Sequence, residues 1–115
     1  MDVETLLRLA ARAEAGGDET LSYDVWRALG WQMGCAYGPI SPDGTISSPR
    51  PDVTRSIDAQ AELPGRIVHS MQVREKGTWR AATGFDDYVE APTEALARLA
   101  ALLRALAHAT PEVGT

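Results

Sequence analysis

Hydrophobic positions along the chain change their spacing several times, and each change marks an element. Over residues 2–15, Val3, Leu6, Leu7, Ala10 and Ala13 recur every three or four positions, the period of one helix face. Asp2 is a candidate N-cap, and Gly16-Gly17 supplies residues that tolerate the left-handed backbone closing a helix. A shorter helix is predicted over about 22–29, with Ser22 as N-cap, Leu21 and Trp26 at the staple positions, Val25 and Leu29 inward, and Gly30 just past the end. The pattern then breaks down. Ser41-Pro42-Asp43-Gly44 is a strong turn, because proline presets φ and glycine accepts a positive one. It suggests a ragged hairpin of 36–40 against 45–47 within an otherwise irregular, mobile loop over about 34–53.

After a short helix expected at 55–63, with Ile57 and Ala61 sharing a face, the period drops to two. Residues 66–74 alternate Ile67, His69, Met71 and Val73 with Val68, Ser70, Gln72 and Arg74, the pattern of a half-buried strand. Glu75-Lys76-Gly77 turns the chain into a second strand over 78–85, with Trp79, Ala81, Thr83 and Phe85 on one side. Residues 88–91 suggest a third, short strand. The clearest helix follows over 92–108, opened by Pro92 and Glu94 and striped by Leu96, Leu99, Ala100, Leu103, Leu106 and Ala107. Residues 110–115 are expected as a frayed tail. The order predicts one α+β domain over residues 1–115: a two-layer sandwich in which a small antiparallel sheet of two to four strands packs against the N-terminal and C-terminal helices.

Composition narrows the class. At 115 residues the chain is one domain, large enough for a core without disulfides or metal. Its net charge of −5 argues against a nucleic-acid binder that works through bulk positive charge. A single cysteine, Cys35, excludes an internal disulfide and has no partner spacing for zinc. No apolar run approaches a membrane span, and Met1-Asp2-Val3-Glu4 lacks the basic start of a signal peptide, so a cytoplasmic setting is expected.

Three stretches, covering about half of the chain, resemble small proteins of the phage ABA-sandwich type. They are residues 21–31 (LSYDVWRALGW), residues 52–63 (DVTRSIDAQAEL), and residues 78–107, a strand leading into PTEALARLAALLRALA. The resemblance implies the sandwich fold and a phage or prophage setting in a bacterial host. It implies no reaction and carries over no catalytic residue.

The candidate chemistry is sparse. Asp86, Asp87 and Glu90 could present oxygen ligands to a hard cation, but a solvated turn explains them as well, since no glycine-punctuated calcium loop is present. His69 on its strand has no neighbouring partner for acid–base work, and His108 suits the negative end of a helix dipole. Arg66, Arg74, Lys76 and Arg80 surround Trp79, the mixture that can hold single-stranded nucleic acid, although an edge hairpin also needs charges to discourage pairing. No Walker A, GxSxG, GxGxxG, HExxH or CxxC pattern occurs.

The reading is therefore a non-catalytic protein with no cofactor and no metal, which binds a host or phage protein. The candidate interface comprises Trp79, Arg80, Arg74, Lys76, Asp86, Asp87, Tyr88 and Leu102. An anti-defence inhibitor in the manner of anti-CRISPR proteins is the sharper form of that reading. A small metal-assisted hydrolase or a weak single-stranded nucleic-acid binder is the alternative. One surface stays open at this stage. Ala95, Leu99, Leu102, Leu106 and Ala109 form an apolar row offset from the core stripe, and either the first helix covers it or a second copy does, in a dimer through the C-terminal helix.

Overall fold

The structure is a computed structural model that describes residues 2–64, 68–83 and 87–109. Expectations placed on Arg66, Ile67, Phe85, Asp86 and the tail 110–115 lie outside those residues. The elements in chain order are α1 (Val3–Glu14), α2 (Leu21–Ala28), α3 (Ile57–Gln60), β1 (His69–Val73), β2 (Thr78–Ala82), β3 (Val89–Ala91) and α4 (Glu94–Ala109). The three strands form one antiparallel sheet in the order β1-β2-β3. The α+β sandwich expected from the pattern is what the chain forms.

α4 organises the fold. Eleven of its sixteen residues are buried, including every leucine and five of the alanines between Ala97 and Ala107. Such a helix needs cover on nearly every side. It lies against all three strands, against α1 and against α3, while α2 packs on the outside of α1. Glu14 and Arg104, ninety positions apart, tie α1 to α4: the guanidinium donates through Nε (3.1 Å) and Nη2 (2.5 Å) to one carboxylate oxygen. α1 buries Leu6, Leu9, Ala10 and Ala13, with Leu7 only half-buried. The deep row thus includes Leu9, which the expected stripe omitted, because α1 meets both α4 and α2.

Glycine closes both N-terminal helices. Gly16 (φ +116°) and Gly30 (φ +97°) occupy the left-handed position after α1 and α2. In each case the next two N–H groups return to the last turn, Gly16 to Ala13 and Gly17 to Arg12, Gly30 to Arg27 and Trp31 to Trp26, which satisfies carbonyls otherwise left open. The N-terminal caps differ from expectation. Asp2 spends its carboxylate on the Thr5 hydroxyl (2.6 Å) and not on a backbone N–H. α2 starts at Leu21, so Ser22 lies in the first turn, where its hydroxyl accepts from Val53 N–H (3.1 Å) and donates to the Pro51 carbonyl (3.4 Å). Arg12 braces the same corner by donating to both Asp18 oxygens (2.6 and 3.0 Å) and to Asp24 (2.8 Å). That guanidinium pulls the Asp18 carboxyl down to about 2.

The segment between α2 and α3 holds the expected turn at 41–44, closed by Gly44 N–H on the Ser41 carbonyl, but the hairpin is reduced to single bridges, Gln32 with Ile40 and Ile40 with Ile46. What fastens this segment is Arg50, whose side chain is only 11% exposed. Its guanidinium lies over Trp31 (4.6 Å) and Trp26 (5.5 Å), which themselves meet edge to face at 5.6 Å. It also donates to the Ser47 hydroxyl (2.8 Å), and Trp26 Nε1 donates to the Pro51 carbonyl (3.1 Å). α3 is shorter than expected. Ser56 caps it, Ile57 and Ala61 face solvent, and Ala59 and Gln60 are buried. The Gln60 amide donates to the carbonyls of Val53 (2.8 Å) and Ala95 (2.7 Å), which explains why a polar residue occupies the inner face.

The sheet's inner face carries Trp79, Ala81, Val89 and Ala91, as the alternation on β2 predicts. On β1 the set that contains Ser70 turns inward. Ser70 pairs with the inward Ala81, so His69, Met71 and Val73 occupy the opposite, outer side. The reason is what lies above β1: not the leucines of α4 but its polar rim. Arg98 donates to the Ser70 hydroxyl (2.9 Å), which donates to Glu94 (3.0 Å).

Two outcomes follow from this packing. Leu99 is fully buried, so Leu99→Ala should cost about 2–5 kcal/mol in chemical denaturation. A loss below about 0.5 kcal/mol would contradict the packing, since that is the scale of surface changes. Arg50→Ala should cost about 2 kcal/mol and change the tryptophan emission, because a desolvated guanidinium leaves two rings. Arg50→Lys should restore less than half of it, as an ammonium lacks the planar face.

Candidate interaction surface

The β1–β2 hairpin turns at residues 74–77. The N–H groups of Lys76 and Gly77 both return to the Val73 carbonyl, and Gly77 adopts φ +68°, which leaves the connection tight and solvent-facing. The strands that leave it expose the outer side of the sheet. Met71 stands there, 52% exposed, with its cross-strand partner Arg80 beside it and Glu90 opposite Arg80 on β3.

Glu90 gathers the charges of this surface. Its carboxylate accepts from the Thr78 hydroxyl (2.7 Å) and pairs with Arg80 (3.4 Å) and Lys76 (3.8 Å). The Thr78 hydrogen bond first, and the two cations after it, hold the Glu90 carboxyl below its usual range, so it stays ionised at neutral pH. Lys76 and Arg80 are therefore partly neutralised where they stand. Arg74 is exposed and makes no ion pair among the described residues.

The other candidates separate from this group. Trp79 is half-buried on the helix side and packs against the core, so it does not share a surface with Arg80. Among the described residues Trp79 and Arg80 thus do not combine into the pairing of stacking aromatic and adjacent cation that the nucleic-acid alternative uses. Asp87 and Tyr88 are exposed and line a cavity of about 500 Å³ at the far end of α4, over Ala101 and Ala105 and beside Arg104 and His108. Leu102 is 5% exposed within the single chain. The premise for a dimer through α4 fails there, because the chain covers the apolar row itself and α1 is the helix packed along α4.

Among the described residues the candidate cation ligands are not brought together either. Glu90 points outward to Lys76 and Arg80, whereas Asp87 lines the cavity on the helix side, and Asp86 lies outside the described residues. Among the described residues no group of three or more His, Cys, Asp or Glu side chains could hold a metal ion. His69 on β1, Cys35 in the long loop and His108 at the end of α4 sit on three separate parts of the fold.

A second cavity, of about 1020 Å³, was not anticipated. It opens between the α1–α2 turn, residues 52–58 and the start of α4, and its rim carries Asp18, Glu19, Asp52, Asp58 and Glu94 against Arg55. Three of these carboxylates already have structural partners: Asp18 holds Arg12, Asp52 accepts from Thr54, and Glu94 accepts from Ser70. The acids lie far apart in sequence, so no local motif announces the groove.

No family model, no curated protein and no solved structure matches the chain. No helix among the described residues is long and apolar enough to cross a membrane.

Calorimetric titration with magnesium, calcium or zinc should show no stoichiometric binding, since Asp87 and Glu90 face opposite sides of the sheet. A tight one-to-one heat lost in Asp87→Asn would overturn that arrangement.

Proposed function

We propose that the protein is a non-catalytic phage or prophage accessory protein that acts in the bacterial cytoplasm by binding another protein. The observation that carries the binding reading is the outer side of the sheet, where Met71 stands exposed beside Arg80 and near the exposed Arg74. Methionine and arginine are enriched at the centre of protein interfaces, and an unbranched thioether adapts to varied partner surfaces. Glu90 limits the net charge of this side, which favours a mixed protein surface over a polyanion. The phage or prophage setting rests on the resemblance of residues 21–31, 52–63 and 78–107 to the phage ABA-sandwich type. In that setting the target is a component of host defence, inhibited in the manner of anti-CRISPR proteins.

The test is an interference assay in cells whose CRISPR system targets an infecting phage. Expression of the wild-type chain should restore plaquing. The double variant Arg74→Glu, Arg80→Glu, shown by circular dichroism to be folded, should not. Absence of protection by the wild type would remove the anti-defence reading. Equal protection by the double variant would remove the hairpin as the contact surface.

A further inference from the structure

We propose that the free edge of β1 pairs with β1 of a second copy, antiparallel about a two-fold axis, so that two three-stranded sheets become one of six strands. This goes beyond the binding reading above: it rests on the backbone edge of one strand, with Met71 shared by both.

The sheet has two edges, and they are not treated alike. β3 is three residues long, and α1 packs against it. β1 is five residues long and, among the described elements, touches only β2 and α4. An open edge is a template for another strand, and monomeric proteins blunt it with charge, proline, a bulge or a cover. Among the described residues β1 shows none of these. His69, Ser70, Met71, Gln72 and Val73 include no Asp, Glu, Lys, Arg or Pro, and the five residues pair with β2 in unbroken register from His69 with Ala82 to Val73 with Thr78. The hairpin's charges, Arg74, Lys76 and Arg80, sit in the turn and on β2.

A second copy fits this edge in a definite register. With the axis at residue 71, Met71 meets Met71 of the other copy, Ser70 meets Gln72, and His69 meets Val73. No ionised Asp, Glu, Lys or Arg is opposed by its like, and Ser70 with Gln72 is a pair that can hydrogen-bond. Met71, 52% exposed in the single chain, gains an apolar neighbour across the axis. Ser70 stands one residue from the axis and holds Arg98 and Glu94 of α4 above it. Each copy thus brings one cation and one anion to the helix side of the junction. Closed two-fold association is also the commonest way for such a self-complementary patch to be used.

Cysteine cross-linking reads the register directly. In a Cys35→Ser background, Met71→Cys should form a disulfide-linked dimer under mild oxidation, because directly opposed residues in an antiparallel pair have Cα atoms about 4.5–5.5 Å apart, within disulfide reach. Val73→Cys alone should not link to itself. A mixture of Val73→Cys with His69→Cys should. Sedimentation of the wild type at millimolar concentration should move from the 12.4 kDa of one chain toward twice that mass, and Met71→Lys, at an exposed position, should remain at one chain. The proposal fails if the wild type stays monomeric at that concentration. It also fails if Met71→Cys links no faster than Tyr37→Cys, an exposed control far from the strand. A monomeric wild type that loses capture of a host protein on Met71→Lys would instead assign the edge to a foreign strand.

Discussion

Everything else in this fold answers the requirement to surround α4. A helix with eleven of sixteen residues buried cannot be satisfied by one sheet face, so a second layer must come from elsewhere in the chain. α1 supplies it from the opposite terminus, and the price of closure over that distance is offset by burial of Leu6, Leu9, Ala10 and Ala13. The alanines of α4 matter as much as its leucines. Ala97, Ala100 and Ala101 are small enough to let neighbouring elements approach closely, and together with Leu99 and Leu103 they interlock with the facing surfaces. The polar groups that this crowding would strand are each met. Arg104 reaches Glu14, Arg98 reaches Ser70, and the carbonyl of Ala95 receives the buried amide of Gln60.

Local signals in the sequence were enough for the elements, because their physics is local. Gly16 and Gly30 close helices through positive φ, residues 41–44 close a turn, and the switch from a period near four to a period of two marks the sheet. Orientation is another matter. On β1 the alternation separates two sets of residues, but which set turns inward depends on the element above. The polar rim of α4 selects Ser70 over Met71, and nothing within residues 66–74 carries that information. Gln60 is the same case: its inward position is set by two carbonyls, one of them thirty-five positions away. The wide apolar arc of α4 was visible, but whether a second copy or α1 would cover it was not, since either solves the same problem.

The candidate surface was legible in part. Arg74, Lys76 and Arg80 do gather at the hairpin. Trp79 does not join them, and a period of two already implies it, since adjacent strand residues point to opposite faces. That Glu90 would collect both Lys76 and Arg80 could not be read locally, because it depends on the register of β2 against β3. Arg50 was hidden for a different reason. Between two prolines in a low-complexity stretch it reads as a loop residue, and only the meeting of Trp26 and Trp31, on and just after α2, gives its guanidinium a place to bind.

These two arginine environments show how the molecule divides its work. Arg50 is held by two rings, the Ser47 hydroxyl and the Glu62 carboxylate (3.6 Å), and it fastens a long segment that has almost no ladder of its own, so the loop's shape is imposed largely from α2. Arg80 is held by one half-buried carboxylate near the surface, an arrangement of little energetic consequence that is easily exchanged for another partner. The outer side of the sheet thus carries contacts that are readily replaced. The same strand also separates two kinds of contact by direction. Backbone N–H and C=O groups of β1 lie in the plane of the sheet and point along its edge, whereas Met71 stands normal to that plane. Edge pairing leaves the outward side chains in place and sets two copies of them side by side. Addition of a strand at β1 and contact with a partner across Met71 and Arg80 are therefore compatible in one molecule, and two-fold pairing would present the second surface twice, with the gain in avidity that bivalent attachment brings.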